Sequence, residues 1–442
     1  MKRTASSSAA FFFSAIFLAV IVAALLAYLV CPKPDLDRFV SYSNAYFDAD
    51  GELLRLSLSK DERFRVFESL DHISTELINA TLLYEDQHFF EHSGVDFIAM
   101  ARAFWATYII GDRRIGASTI DMQVARLHWQ IPSRTMLGKI QQIIRAIQLT
   151  RHFSKEEILA LYLNLAPYGR NIEGVAAASL IYFNKRPSEL SLPEALTLAV
   201  IPQNPNKRNP TTAKGYVNLL TARTLLFERW LEHYPEDASK KKFLTMPLSI
   251  RAPEELPFVA PHFVNTINQA RSKWEHGYVD TTLKVGKQRL LEKTLRAYVA
   301  SKSSGGIHNA AALLLNYQTM HIEALVGSAD FYNDSIQGQV NGALAKRSPG
   351  SALKPFVYAL AIDDGLIHPL SLLKDAPRRF GGFTPENYDK RFLGPISVKD
   401  ALIESRNVPA VTLQSQLKSR SFYQFLRDAN IQGLREESFY GL

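Results

Sequence analysis

The chain has 442 residues, enough for two or three domains that each bury a core of their own. Its formal net charge is +8, from 51 basic and 43 acidic residues, which suits an anionic membrane surface or a phosphate-bearing substrate. We find no nucleic-acid motif, so we expect no nucleic acid partner. We also find no cysteine and histidine spacing typical of a metal site. Cys31 is the single cysteine, which excludes an intrachain disulfide.

An uncharged apolar run from residue 9 to residue 30 is long enough to cross a hydrocarbon core of roughly 30 Å as a helix. Lys2 and Arg3 precede it, which favours a cytoplasmic tail at residues 1–8. We therefore predict an uncleaved transmembrane anchor at residues 9–31, with the rest of the chain outside the cytoplasm. A cleaved signal peptide is the alternative, but the run is long for one and no Ala-x-Ala site ends it.

The sequence after the anchor changes from strand patterns to helical ones. Residues 38–70 look like short strands, with three candidate segments and a turn between the first two: 38–40, 53–56 and 64–67, with the turn at 48–51. From residue 71 to about 210 the pattern is helical. Two capping boxes precede apolar runs, and isoleucines of one segment form a single stripe: Ser154 with Glu157, Ser191 with Glu194, and Ile140, Ile143, Ile144 and Ile147.

The segment at residues 84–96 combines acids, histidines and phenylalanines. A helix capped by Ser74 precedes it, and the apolar stripe of that helix continues to Glu85. A carboxylate among apolar neighbours is costly to desolvate, so we expect a raised pKa, as a general base or acid near neutral pH requires. The alternative is a buried glutamate that pairs with His88 or His92.

The pattern Glu-Asp-x-x-Phe-x-x-His-x-Gly at residues 85–94 resembles the first motif of the bacterial peptidoglycan glycosyltransferases, glycosyltransferase family 51. Four further segments resemble the remaining motifs of that family in the same order: residues 116–123, 139–149, 161–169 and 194–210. Five motifs in order are specific, whereas any one alone would be weak. The resemblance implies a mostly α-helical, lysozyme-like domain at residues 38–210.

The resemblance also implies the reaction, which is polymerisation of lipid II at the periplasmic side of the bacterial inner membrane. A sugar hydroxyl of one lipid II attacks the anomeric carbon of the nascent glycan, and a polyprenyl pyrophosphate leaves. By the motif match Glu85 is the base, while Arg126 and Lys139, with Arg134 as a looser candidate, stabilise the leaving group. The alternative for each cation is a solvated surface side chain. The match assigns further polar residues to substrate binding: Asp86, His92, Ser118, Thr119, Gln123, Gln142 and Asn164.

One position departs from the family pattern. The third motif usually carries a glutamate three residues after its lysine, whereas here Gln142 follows Lys139. Glutamine cannot neutralise a metal ion, so we expect no tightly bound cofactor, a weak Mg²⁺ at the pyrophosphate at most, and heavier reliance on Arg126 and Lys139. The same substitution is typical of the 1C branch of the class A penicillin-binding proteins, the branch that this chain resembles most.

Residues 97–100 and 104–110 are apolar and rich in aromatic side chains. The family resemblance favours a region that dips into the headgroup layer of the membrane, where the lipid substrate is held. Packing in a core is the alternative.

Residues 211–280 are helical at first and then rich in Lys, Glu and Pro, which predicts a linker. Residues 281–442 resemble the start of the transpeptidase domain of class A penicillin-binding proteins, an α+β domain. Strand patterns at 310–315 and 321–326 predict a hairpin there.

Two transpeptidase motifs follow. Ser351 and Lys354 fit the nucleophile motif Ser-x-x-Lys, in which a desolvated amine can take the proton of the serine. Ser405 and Asn407 fit the second motif, Ser-x-Asn. The third motif, Lys-Thr/Ser-Gly, is absent from the 442 residues, so we expect an incomplete domain without transpeptidase activity. The sequence leaves penicillin binding open.

The sequence thus predicts a membrane-anchored peptidoglycan glycosyltransferase whose partners are lipid II, nascent glycan, the membrane and other proteins of cell-wall synthesis. One alternative is a non-catalytic scaffold that binds such proteins. The other is a glycan hydrolase, which in its retaining form needs a second carboxylate about 5 Å from Glu85. Asp86, Glu91 and Asp96 are near in sequence, but helical spacing points Asp86 away from the Glu85 face.

Overall fold

The computed structural model describes residues 32–36, 40–105, 118–132, 135–271, 276–431 and 433–436. The predicted tail and anchor, residues 106–110 and Arg134 lie outside them. Within the described ranges, no helix is both long enough and apolar enough to span a membrane.

The chain divides into two compact units, residues 1–344 and 345–442. The helices of the described residues, apart from short 3₁₀ turns, are α1 (Thr75–Glu85), α2 (Phe97–Trp105), α3 (Ile120–His128), α4 (Met136–His152), α5 (Lys155–Leu165), α6 (Val175–Phe183), α7 (Leu192–Val200), α8 (Ala213–His233), α9 (Lys241–Thr245), α10 (Pro261–Ala270), α11 (Val285–Lys302), α12 (Lys354–Asp363), α13 (Val398–Ile403), α14 (Asn407–Gln416) and α15 (Phe422–Asp428). The strands are β1 (Asn44–Phe47), β2 (Leu53–Leu56), β3 (Pro167–Gly169), β4 (Ile172–Glu173), β5 (Gly277–Asp280), β6 (Ala312–Leu315), β7 (Ile322–Val326), β8 (Leu372–Asp375) and β9 (Gly394–Ser397).

The first unit is built around helix α6, which is buried along its whole length because its residues are apolar on every side. Helices α1, α3, α5, α7 and α8 contribute side chains to the same core. The predicted caps hold: the Ser74 hydroxyl accepts from the backbone N–H of Leu77, and the N–H of Ser154 donates to Glu157 at 2.7 Å. The predicted helical pattern of residues 71–210 is confirmed.

A small sheet with strand order β2-β1-β5 lies beside the helices. Strands β1 and β2 are antiparallel across the predicted turn, where Asp48 accepts the N–H groups of Asp50 and Glu52. Strand β5 pairs in parallel with β1 from more than 200 residues later. The predicted strand at residues 64–67 is wrong, because within it only Phe64 forms a bridge, to Ile172.

Residues 211–344 belong to the first unit. Helix α8, in the segment predicted as a linker, buries Leu219 and Trp230 in the main core. A second core joins the sheet to α10, α11 and β7 through residues such as Tyr46, Phe263 and Leu325. The predicted hairpin is confirmed as the antiparallel pair β6 and β7.

The second unit contains α12 to α15 and the antiparallel pair β8 and β9. Its core is apolar, with Val357, Ile396 and Leu413 among its buried side chains. A buried ion pair between Arg406 and Asp375, with 2.9 Å between Nε and Oδ2, ties the loop before α14 to strand β8.

Candidate active site

Glu85 is the last residue of α1, and its side chain turns into the interior of the first unit. Its Oε2 accepts a hydrogen bond of 2.7 Å from Nε2 of Gln123 on α3. Its Oε1 is buried and has no hydrogen-bond partner among the described residues. One oxygen of the carboxylate is therefore held in place, and the other is left to accept a proton.

The two histidines of the segment do not pair with Glu85. His88 lies 3.0 Å from the carboxylate of Glu91 at the surface. Nε2 of His92 lies 3.0 Å from Oδ2 of Asp86. The alternative that Glu85 serves as the partner of a histidine is therefore wrong.

Burial raises the pKa of Glu85 above its ordinary value, as the sequence predicted. The hydrogen bond from Gln123 and the positive charges of Arg208 and Arg126 oppose this rise, and the neighbouring charge of Asp86 adds to it. The carboxyl group is thus poised to exchange a proton closer to neutral pH than a solvated glutamate does.

The start of α3 brings the first two motifs together. Thr119 caps the helix, since its Oγ1 accepts from the N–H of Met122, and the same hydroxyl donates to the carbonyl of Gly94 at 2.7 Å. Oδ2 of Asp86 accepts the N–H of Ile120 at 2.9 Å. These contacts fix the helix that carries Gln123 against the segment that carries Glu85.

Two of the predicted cations, Arg126 and Lys139, lie near one another. The ammonium of Lys139 donates to the hydroxyl of Ser118 and, at 3.5 Å, to Oε1 of Gln142. Burial lowers the pKa of Lys139, and the nearby charge of Arg126 lowers it further. Gln142 is almost fully buried, and its Nε2 has no partner among the described residues. The two cations repel each other, so the site is suited to bind an anion.

Arg208 belongs to the fifth motif but was not singled out from the sequence. Its Nη2 donates to Oε1 of Gln203 at 2.9 Å, and the hydroxyl of Tyr84 donates to the same oxygen at 2.8 Å. Its charge lowers the pKa of Glu85 more than that of Arg126 does. The sequence did contain a signal for Arg208, because a cation lies there within a motif already assigned to the glycosyltransferase site.

In the second unit, a pocket of about 410 Å³ is lined by Lys354 and Asn407. The ammonium of Lys354 donates to Oδ1 of Asn407 at 2.6 Å and to Oγ of Ser405 at 3.0 Å. Burial, with the charge of Arg406, lowers its pKa. Ser405 adopts a φ of +54°, the left-handed conformation that is rare outside glycine. Ser351 is exposed on the 3₁₀ turn Gly350–Leu353, directly after Gly350, which lines the pocket.

Comparisons with known proteins match both units. A transglycosylase family model matches residues 50–229, and a penicillin binding protein transpeptidase domain model matches residues 310–436. Penicillin-binding protein 1C of Escherichia coli is 38% identical over a region that covers 86% of this chain and 49% of its own. The chain belongs to the class A penicillin-binding proteins.

A second curated relative and one solved structure are also similar to this chain. Penicillin-binding protein 1F of Bacillus subtilis is 31% identical, over 81% of this chain and 51% of its own length. The chain thus spans about half the length of these two curated relatives. Among solved structures, penicillin-binding protein 1A from Haemophilus influenzae matches with 19% identity and a TM-score of 0.38, over 86% of this chain and 62% of its own.

Asn164, predicted to bind substrate, uses its side-chain amide for contacts with the backbone. Its Oδ1 accepts the N–H of Glu68 at 2.8 Å, and its Nδ2 donates to the carbonyls of Glu68 and Ala160. All of these contacts lie within the first unit, so Asn164 joins α5 to the loop before α1.

Asp86, His92 and Asp121 could together offer three metal ligands, with ligand atoms all within 4.8 Å of one another. The group suits Mg²⁺ poorly, because Mg²⁺ prefers oxygen ligands and one ligand here is an imidazole. In addition, the ammonium of Lys155 already donates to both carboxylate oxygens of Asp121, at 2.9 and 3.1 Å. These three residues therefore do not fit a Mg²⁺ ion, and no step of the reaction is assigned to a metal at this position.

Proposed function

We propose that this penicillin-binding protein polymerises lipid II into glycan strands in cell-wall synthesis. The observation that carries the proposal is the state of Glu85. Its carboxylate has one oxygen bound by Gln123, one oxygen without a partner among the described residues, and a raised pKa. Such a group matches the needs of a general base near neutral pH.

In the proposed reaction Glu85 takes the proton of the attacking sugar hydroxyl. The bond from that oxygen to the anomeric carbon forms as the bond to the pyrophosphate oxygen breaks. Arg126 and Lys139 then face the negative charge of the leaving pyrophosphate. Burial lowers the pKa of Lys139 and repulsion by Arg126 lowers it further, and an anion between the two cations relieves that repulsion.

We also propose that helices α2 and α4 contact the membrane. Both contribute to one small apolar cluster, through Met100 on α2 and Ile143 and Ile147 on α4. Large apolar side chains of the same two helices are exposed to between 46% and 80%: Phe97, Ile98, Trp105, Met136, Leu137, Ile140 and Ile144. This exposure speaks against the core-packing alternative and favours burial among lipid headgroups.

The site would then lie at the periplasmic face of the inner membrane, with the predicted anchor at residues 9–31 crossing it. Lipid II and nascent glycan are the proposed partners, and contacts with other cell-wall proteins stay a prediction.

The deciding experiment is polymerisation of labelled lipid II in detergent by the parent chain, Glu85→Gln and Glu91→Gln. Glu91 is an exposed carboxylate of the same motif and serves as the matched control. We expect glycan from the parent and the control. The rate of Glu85→Gln should be lower by about 10²- to 10⁴-fold, the usual contribution of a general base. No glycan from a folded parent would favour the scaffold, whereas new reducing ends without lipid II consumption would favour a hydrolase.

A further inference from the structure

Asn387 lies in the loop between strands β8 and β9 of the second unit and is only 4% exposed, although asparagine is usually a surface residue. Both ends of its side-chain amide are bound. Its Oδ1 accepts the backbone N–H of Asn407 at 2.8 Å, and its Nδ2 donates to Oδ1 of Asp375 at 2.8 Å and to the carbonyl of Arg391 at 2.9 Å. The buried amide therefore joins the first residue of α14 to the last residue of β8.

Asp375 closes these contacts into a ring. Its carboxylate is fully buried, and its Oδ2 accepts from Nε of Arg406 at 2.9 Å and from the backbone N–H of Leu393 at 3.0 Å. The consecutive residues Arg406 and Asn407 are thus bound to the same carboxylate, the first directly and the second through Asn387. Because both residues are held, the ring fixes the backbone where α14 begins.

From this fixed backbone the side chain of Asn407 reaches Lys354. Oδ1 of Asn407 accepts from the ammonium of Lys354 at 2.6 Å, and Nδ2 of Asn407 donates to the carbonyl of Glu386 at 2.7 Å. Within the described ranges, the ammonium donates otherwise only to Ser405, to its hydroxyl at 3.0 Å and to its carbonyl. The position of the Lys354 amine therefore depends on the second transpeptidase motif, which the ring holds in place.

We propose that Asn387 is a positioning residue for the acylation of Ser351 by a β-lactam. Asn387 does not line the pocket of the second unit, whereas Asn407 does, so Asn387 acts by aiming the side chain of Asn407 at Lys354.

The step itself is a nucleophilic attack. The hydroxyl oxygen of Ser351 bonds to the lactam carbonyl carbon as the lactam C–N bond breaks. The neutral amine of Lys354 takes the serine proton and passes it to the released nitrogen. The inference concerns the second unit alone, so it does not depend on the chemistry proposed for lipid II.

The test is the rate at which a fluorescent penicillin labels the full chain in detergent, measured over a range of penicillin concentrations. We expect labelling of the parent that Ser351→Ala abolishes. For Asn387→Ala the limiting rate of acylation should fall at least tenfold, because misplacement of a catalytic group by about 1 Å can cost about 10²-fold. The concentration for half-maximal rate should stay unchanged, since Asn387 does not line the pocket. If Asn387→Ala does not fold, Asn387→Ser should show the same loss, because a serine side chain is too short to join Asn407 to Asp375.

Two controls separate positioning from a general loss of stability. Gln416→Ala removes an exposed amide at the other end of α14 and should leave the rate unchanged. Ser421→Ala removes the hydroxyl that caps α15, which accepts the N–H of Gln424 at 3.1 Å, so it should lower the melting temperature measured by circular dichroism without slowing acylation. An unlabelled parent, a parental rate in folded Asn387→Ala, a loss that lies in the half-maximal concentration alone, or an equal loss of rate in Ser421→Ala would each overturn the assignment.

Discussion

The amide of Gln123 and the carboxylate of Glu85 are joined by a hydrogen bond of 2.7 Å between helices α3 and α1. This bond stabilises the charged form of Glu85, because the amide donates to a carboxylate oxygen, and so it lowers a pKa that burial raises. Gln123 thereby sets how much of the base is ready to accept a proton at a given pH.

Gln123→Ala should move the acidic limb of the polymerisation rate to higher pH. It should also slow the reaction near neutral pH by about tenfold or more, since a hydrogen bond to a charged group contributes roughly 1.5–3 kcal/mol. Initial rates with labelled lipid II across a pH series measure both effects. Gln141→Ala, at an exposed position of α4, is the control. If the acidic limb of the polymerisation rate lies at the same pH in Gln123→Ala as in the parent, this account of the site is contradicted.

Glu85→Gln should stabilise the protein at neutral pH. A carboxyl group whose pKa is raised in the folded state binds more protons when folded, so its contribution to stability is lost as pH rises through the folded pKa. The neutral amide avoids that loss and should gain about 0.5–2 kcal/mol in the free energy of unfolding.

The gain should shrink as the pH falls and should vanish below 4.5, the ordinary pKa of glutamate, because the parent is then protonated in both states. Urea unfolding of parent and variant at pH 7 and at mildly acidic pH measures it. A gain that does not depend on pH would show that the charge of Glu85 is not its cause.

Lys155→Met should strongly destabilise the first unit. The carboxylate of Asp121 is fully buried and is paired with the ammonium of Lys155 at 2.9 Å, while Thr150 donates to it at 3.0 Å. Removal of one partner leaves a buried charge without compensation, which costs about 3–5 kcal/mol.

The double variant Asp121→Asn with Lys155→Met removes both charges and should recover most of that loss. Urea unfolding of both single variants and the double variant gives the coupling energy between the two side chains. Lys214→Met, at an exposed lysine of α8, controls for loss of a surface cation. Simple additivity of the two single effects would show that the ion pair has no energetic part in the core.

Trp105 should lie among lipids when the chain is reconstituted in vesicles. It is 60% exposed at the end of α2, next to other exposed apolar side chains. Brominated lipids quench tryptophan fluorescence at short range, so Trp105→Phe should remove much of the quenching. Trp129→Phe, a partly buried tryptophan that contacts Arg145, should remove little. Equal quenching in parent and Trp105→Phe would contradict the membrane contact of α2.

Local sequence patterns predicted the elements whose cause is local. The cap at Ser74, the capping box at Ser154 and the inward face of Glu85 depend on spacings of three or four residues, which a helix makes into contacts. The hairpin of β6 and β7 follows from two short apolar runs around a turn in the same way.

The features that the sequence could not predict depend on contacts between residues that are far apart in the chain. Nothing near β5 signals that it pairs with β1, and nothing near Asn164 signals that its amide binds the backbone of Glu68. The partner of Glu85 followed the same rule: local spacing suggested His88 or His92, whereas the fold provides Gln123 from 38 residues away.

Strand β5 has a practical consequence for any attempt to isolate the glycosyltransferase. A fragment that stops at residue 229, where the transglycosylase family match ends, removes Tyr278 and Val279 and leaves β1 with an open edge. Open edges recruit other chains, so such a fragment is prone to self-association. A cloning boundary after residue 344 keeps the strand and its core contacts in one piece.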